Sequence, residues 1–239
     1  MSKTIKFKAI DEHGFNTQIK PFPSSTIIPE WWKTMTPYMK SNENINGKEL
    51  LIKNGSSNVT FKKCTPMLDA LTSGYIISLW SDVRVYIEND MPQLSWKTNF
   101  PVFTPHGGES DKIDPPSGYT NYVAKYQNTW IPITPPGYSV LAISPFGYKN
   151  LPFYAVPAII DSDKSILEML NPMWIKKDFE GIVEKGTPLV QLIPFKRDDW
   201  KAEYEFYKNN EHNTLKEKTF NSNIVNHYIR NHWSKKSFK

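Results

Sequence analysis

Residues 139–197 read SVLAISPFGYKNLPFYAVPAIIDSDKSILEMLNPMWIKKDFEGIVEKGTPLVQLIPFKR. Gly186 lets the chain turn into Leu189 to Ile193, an apolar run expected to be a fully buried strand. Its one polar residue, Gln191, must find a partner or touch a ligand, because an unsatisfied amide is costly in an apolar interior. Ile159-Ile160 is read in the same way, as a buried strand that delivers two carboxylates, Asp161 and Asp163, at its exit. Upstream, Tyr138 to Ile143 is a further strand, entered through Thr134-Pro135-Pro136-Gly137, where Pro presets a tight turn and Gly supplies positive φ.

Proline extends this reading outward. Fourteen of the nineteen prolines lie between Pro92 and Pro194 and none follows, so the central segment is expected to be short extended pieces and turns, and the tail is free to be helical. Tyr75 to Trp80 and Val83 to Ile87 read as strands, with Asn89-Asp90 turning toward Leu94 to Lys97 as a hairpin partner. Trp130 to Ile133 is another strand. At the N-terminus, Thr4 to Ile10 alternates apolar and polar residues, the period of a half-buried strand. Pro29 opens a short helix over Glu30 to Met39 that Pro37 must end, its Trp31-Trp32 pair stapling the segment to the body. Ser41 to Gly55 reads as a polar loop with a strand-like centre at Leu50 to Ile52, and a helical turn follows Pro66. The fold class is therefore mainly β, with a β-rich domain over 1–197, a short N-terminal helix and a helical C-terminal tail over 198–239. In that tail Asp198-Asp199 are expected to cap a helix starting at Trp200, with Trp200, Tyr204 and Tyr207 on one face, and a second helix is expected over Asn223 to Trp233.

The chain has 239 residues, 29 Lys+Arg, 24 Asp+Glu and one cysteine, ordinary values for a globular protein that exclude collagen-like and disordered classes. Cys64 alone makes no intrachain disulfide and is read as a small buried hydrophobe. Leu68 to Trp80, the longest weakly charged run, is short of the roughly 20 residues a bilayer span needs, and Met1 to His13 lacks the apolar centre of an export signal. Neither a membrane location nor secretion is expected, so the sequons at Asn54 and Asn58 read as chance matches. Ten Lys/Arg against six Asp/Glu over 196–239 make the tail basic, but its basic blocks are short, and nucleic acid is not an expected partner.

No Gly-x-Ser-x-Gly elbow, Walker loop, dinucleotide fingerprint or His-Glu-x-x-His occurs. The most polar stretch is the loop Pro105 to Gly118, where His106 beside Gly107-Gly108 is a candidate ligand contact. Asp111 and Asp114 in that loop match no metal-binding spacing, and His227 and His232 are five apart rather than four, so no metal site is expected. The candidate binding residues are thus Asp161, Asp163, Gln191 and His106. No cofactor is specified.

Across 139–197 the order of the pieces resembles the core of the dUTPase-like (β-clip) superfamily. Ser144-Pro145-Phe146-Gly147 stands for its phosphate loop, Ala158 to Asp163 for its strand closing on Ile-Asp-x-Asp, Asn171-Pro172 for a turn, and Gly186 to Ile193 for the strand ending in Gln-Leu-Ile. The resemblance implies a β-clip and gives Asp161 the role of orienting an attacking water beside Mg²⁺. The chain departs from the pattern at Phe146 (family Arg), Lys164 (stacking Tyr) and Ile166 (Gly), and it has no Gly-rich C-terminal arm. The scaffold, rather than a working dUTPase, is what the likeness implies. The strings at 62–77, 130–145 and 185–200 are also similar to an uncharacterised family carried by tailed phages, which implies a viral setting in host cytoplasm or virion and self-association, with a homotrimer as one form. The expected function is an accessory protein that binds a small polar ligand. The alternatives are a virion structural or assembly component and a divergent Mg-dependent nucleotide hydrolase.

Overall fold

The computed structural model describes residues 3–38, 60–89, 91–107, 112–164, 170–207, 210–214 and 229–239. The readings placed on 41–55, on the sequons at Asn54 and Asn58, and on Asp111, Ile166 and His227 lie outside the described residues, as does most of the second tail helix, of which 229–231 are helical. The chain divides into two compact units: Met1–Ile27 with Ser73–Arg197 and Phe238–Lys239, and Ile28–Thr72 with Asp198–Ser237.

The first unit is mainly β. Its fourteen strands among the described residues are β1 (Lys6–Ala9), β2 (Phe22–Pro23), β3 (Tyr75–Ser78), β4 (Val83–Glu88), β5 (Met91–Ser95), β6 (Phe103–Pro105), β7 (Tyr119–Tyr126), β8 (Trp130–Ile133), β9 (Tyr138–Ile143), β10 (Phe153–Ala155), β11 (Ala158–Ile160), β12 (Asn171–Lys176), β13 (Gly181–Val183) and β14 (Pro188–Lys196). They form antiparallel sheets ordered β1-β8, β10-β12-β7-β6, β11-β9-β14-β3-β2 and β13-β4-β5.

Local chemistry sets several of these elements as expected. β4 and β5 form a hairpin in which Glu88 faces Met91 and Arg84 faces Ser95, with Asn89, next after β4, at positive φ. Before β9, the amide of Tyr138 donates to the Pro135 carbonyl and Gly137 sits at φ 82°, the type II geometry that Pro-Pro-Gly favours. Leu189, Val190 and Leu192 of β14 are fully buried because β14 is a central strand, between β9 and β3. They join Val83, Val85, Val140, Phe153 and Met173 in one core, where each large aliphatic contributes roughly 1.5–3 kcal/mol by leaving water. Tyr126 stands in this core. Its hydroxyl donates to the Ser78 carbonyl at 2.7 Å and accepts the Trp80 amide at 3.0 Å, and burial pushes its pKa upward.

Two expectations in this unit are corrected. β11 is not a buried strand: among the described residues it pairs with β9 alone, at a sheet edge, and Ile159 is 67% exposed. Asn171-Pro172 is not a turn but the start of β12, where Pro172 faces Lys125 of β7. A further element, α1 (Glu12–Thr17), arises where none was expected, because the Asp11 carboxylate caps it by accepting the Gly14 amide at 2.6 Å.

In the second unit, α2 (Glu30–Thr34) follows Pro29 and buries Trp32, with Trp31 edge-on to it. α3 (Thr65–Thr72) carries Pro66 in its first turn, where no amide is missed. Asp69 of α3 accepts from Trp233 Nε1 at 2.9 Å and Lys236 Nζ at 2.7 Å, which ties the two stretches of this unit together. The helix expected from Trp200 is absent: 200–207 hold no regular structure and expose Trp200, Tyr204, Phe206 and Tyr207. The aromatic stripe found no surface to bury against, and most helical stability comes from such packing. Among the described residues, no helix is long and apolar enough to cross a membrane.

Candidate functional site

At the exit of β11 the chain turns sharply, the Lys164 amide donating to the Asp161 carbonyl at 2.9 Å. Ser162 is buried in this turn, its hydroxyl 2.8 Å from that of Thr134, which donates onward to the Tyr138 carbonyl at 2.9 Å. The turn is thereby sewn to the Pro-Pro-Gly turn before β9. The two flanking carboxylates then meet Arg197, at the end of β14. Arg197 holds Asp163 through both terminal nitrogens, Nη1 to Oδ1 at 2.8 Å and Nη2 to Oδ2 at 2.5 Å, and Asp163 Oδ2 also accepts the Gly137 amide at 2.8 Å. Asp161 Oδ1 accepts from the Ser139 hydroxyl at 2.7 Å and lies 3.1 Å from Arg197 Nη1.

The electrostatics follow from these partners. Hydrogen bonding by the Arg197 guanidinium, helped by the Gly137 amide, holds the Asp163 carboxyl down at about 2. The Ser139 hydroxyl, with Arg197 beside it, lowers Asp161. Arg197 is itself pushed upward by the two acids. A general base works best with a pKa near the operating pH; Asp161 and Asp163 are instead held anions. This cluster is a latch that fastens a strand exit to a turn and to the end of the central strand.

Gln191 and His106 are not gathered with it. Ser139 faces Phe195 in the β9–β14 register, whereas Gln191 faces Ile143, four residues further along, roughly 13 Å away at the rise of a strand. Gln191 is buried; its Oε1 accepts the Phe146 amide at 2.9 Å and its Nε2 donates to the Ser73 carbonyl at 2.7 Å. It satisfies itself by pinning a loop. His106 stands half-buried just beyond β6, in a different sheet, with Nδ1 3.1 Å from the Gly107 carbonyl.

The loop that Gln191 pins borders a hollow of about 600 Å³, within the usual range of roughly 300–1,000 Å³ for ligand sites. Its walls include Leu141, Ile143, Phe146, Lys149, Tyr119 and Tyr154. The loop is held at several points. The Ala155 amide donates to Ser144 Oγ at 2.7 Å, Tyr119 donates to the Leu151 carbonyl at 2.8 Å, and the Tyr148 hydroxyl donates to the Ile27 carbonyl. Gly147 takes φ 78° at the third position of a turn closed by Tyr148 and Pro145. Burial raises the pKa of Tyr119 and of Tyr148, so both stay protonated donors. Tyr119 and Tyr154 meet edge to face at 5.5 Å. The result is a preformed apolar and aromatic recess with the cation Lys149 in its wall, suited to a planar group carrying negative charge. Asp161, Asp163, Gln191 and His106 do not line it.

A smaller recess of about 160 Å³ lies beside α1 and includes Asp11, His13 and Phe100 in its walls. Asp11 is engaged as the helix cap, the Gln18 side-chain oxygen accepts the Thr129 amide at 2.9 Å, and the His13 ring stacks on Phe100 at 4.1 Å.

Sequence reasoning passed over Arg197, Lys149, Tyr119 and Tyr154. The signal for Arg197 was its place at the end of the central strand; for the tyrosines nothing distinguished them from ordinary strand residues. No family model, curated protein or solved structure matches this chain.

Proposed function

We propose that this is a non-enzymatic binding protein whose ligand is a small polar molecule with a planar, anionic part, held in the hollow under the 144–151 loop. The observation that carries this reading is the hollow itself, about 600 Å³ with Tyr119, Tyr154 and Lys149 in its walls, beside a loop whose backbone is fixed by Gln191 and Ser144 before any ligand arrives. Preorganisation of that kind spares the ordering cost that weakens binding to mobile loops. The order of motifs across 139–197 supports a β-clip scaffold of the dUTPase-like type, with this loop in the place of the phosphate loop and an aromatic Phe146 where that family carries its arginine. In this reading the protein acts as a phage-type accessory factor in host cytoplasm or virion, and Asp161 and Asp163 serve the scaffold rather than the ligand.

The test is native mass spectrometry of the purified full-length chain for a co-purified ligand, followed by titration with a panel of nucleotides and aromatic carboxylates. Lys149→Ala and Tyr154→Ala are expected to weaken binding of any hit by about tenfold, the loss of one charged or stacking contact worth roughly 1.4 kcal/mol. A protein that carries no ligand and binds none of the panel, or one whose binding ignores both substitutions, overturns the reading.

A second reading, a virion structural or assembly component, is favoured by one feature: Trp200, Tyr204 and Phe206 are 90%, 94% and 82% exposed, a cluster that free monomers rarely leave in water.

A further inference from the structure

Residues 200–206 read Trp-Lys-Ala-Glu-Tyr-Glu-Phe. Taken two by two, Trp200, Ala202, Tyr204 and Phe206 fall on one side and Lys201, Glu203 and Glu205 on the other, the alternation of a strand with one face to bury. The structure supports the extended reading, because Lys201 Nζ lies 3.1 Å from Glu203 Oε1, and residues two apart share a side in a strand but not in a helix. Among the described residues no strand pairs with this segment. It is patterned as a strand, exposed, and outside every sheet.

The pattern is also self-complementary. Laid antiparallel on a second copy about Glu203, residue n faces residue 406 − n. Lys201 then faces the second copy's Glu205, and Glu205 its Lys201, giving two opposite-charge pairs on the polar face. On the apolar face Trp200 faces Phe206, and the small Ala202 faces the large Tyr204, twice each. Only Glu203 meets its own like charge. Cross-strand pairs of these kinds are the unit of sheet stabilisation.

We infer that Trp200–Phe206 is a self-recognition strand that pairs antiparallel with the same residues of a second copy of this chain. The six aromatic rings touch one another on one face of a two-stranded ribbon and stay partly in water, so the buried area falls below that of stable specific interfaces and the association is weak and concentration-dependent. It draws on no residue of the hollow and holds whether or not that hollow takes a ligand.

The experiment is sedimentation of the full-length chain from low concentration up to about 100 µM. The unaltered protein is expected to show a reversible monomer–dimer equilibrium. Lys201→Glu and Glu205→Lys, each placing like charges opposite twice over, are expected to weaken the dimer by about tenfold. An equimolar mixture of the two single variants restores it as a heterodimer, the double variant K201E/E205K restores it as a homodimer, and Glu203→Gln tightens it. Side chains this exposed leave folding intact, and unchanged thermal denaturation of each variant verifies that. A chain that stays monomeric throughout the range, single variants that dimerise like the parent, or a mixture without recovery overturns the proposal. Association that survives both single variants but is lost on Trp200→Ser also overturns it, since it points to hydrophobic contact without this register.

Discussion

Arg197 clasps Asp163 with both ends of its guanidinium, at 2.8 and 2.5 Å, although 34 positions separate them in the chain. The Asp163 side chain is only 5% exposed and that of Asp161 53% exposed, so one guanidinium serves a covered anion and an open one. The bidentate fork matches carboxylate geometry in a way an ammonium does not. The loop entry, the strand exit and the end of β14 are thereby fastened at a single point.

The clasp makes stability depend on acid. Asp163 is held at about 2 in the folded chain, against roughly 3.9 when unfolded. Its stabilising contribution is complete above the unfolded value and is lost as pH falls through the folded one. Thermal denaturation followed from pH 5 to 2 is expected to show a steeper fall for the parent than for Asp163→Asn. The variant melts lower at neutral pH and converges toward the parent at the acid end. Parallel curves would remove Asp163 from the account.

Tyr126→Phe deletes one oxygen and leaves the Trp80 amide and the Ser78 carbonyl without the partner they share. Orphaning buried groups costs about 1–3 kcal/mol, so urea denaturation is expected to show a loss in that range with an unchanged slope.

Gln191→Leu fits the apolar surroundings of β14 but unties the Phe146 amide from the Ser73 carbonyl. The expected stability loss is again roughly 1–3 kcal/mol. Hydrogen exchange supplies the sharper check: the Phe146 amide, protected in the parent, should exchange much faster, while amides of the β4–β5 hairpin keep their protection.

At Gly74, φ is 75° and an added Cβ would stand 2.0 Å from the Leu192 carbonyl oxygen. Gly74→Ala is therefore expected to cost well over about 1 kcal/mol, against the backbone of a central strand that cannot yield. Soluble expression and melting temperature report this directly.

Ile159 lies on the outer strand of its sheet with two-thirds of its surface in water. Ile159→Lys should change stability by less than about 0.5 kcal/mol and raise solubility, as charge on an edge strand does. A loss of several kcal/mol, the ordinary result for a buried isoleucine, would contradict the edge position.

What could be read from the chain followed local chemistry. The Asn89 hairpin and the Gly137 turn were legible because backbone φ is decided within a few bonds. Within the run Leu189 to Ile193, the burial of Leu189, Val190 and Leu192 was legible because an apolar run tolerates no solvated face, whereas Ile193 is only half-buried. The same kind of run failed at Ile159, since an apolar pair looks alike whether its strand is central or at an edge. Residues 200–207 failed for a different reason. Trp200, Tyr204 and Tyr207 satisfy a helical period while Trp200, Tyr204 and Phe206 satisfy a strand period; without a surface to bury against the helix does not form, and the segment is left extended outside every sheet among the described residues. α1 was missed because its signal, a single Asp11 cap, carries no apolar stripe.

Composition, proline spacing and turn residues by themselves determined a mainly β chain with the hairpin at Asn89 and the turn at Gly137 in place, because those properties act over neighbouring peptide units. Only the tertiary structure decided that Asp161 and Asp163 answer to Arg197, that Gln191 pins a loop, and that the aromatic hollow belongs to Tyr119, Tyr154 and Lys149. Which side chains meet depends on strand order and register, and those are set by the joint burial of residues far apart in the chain.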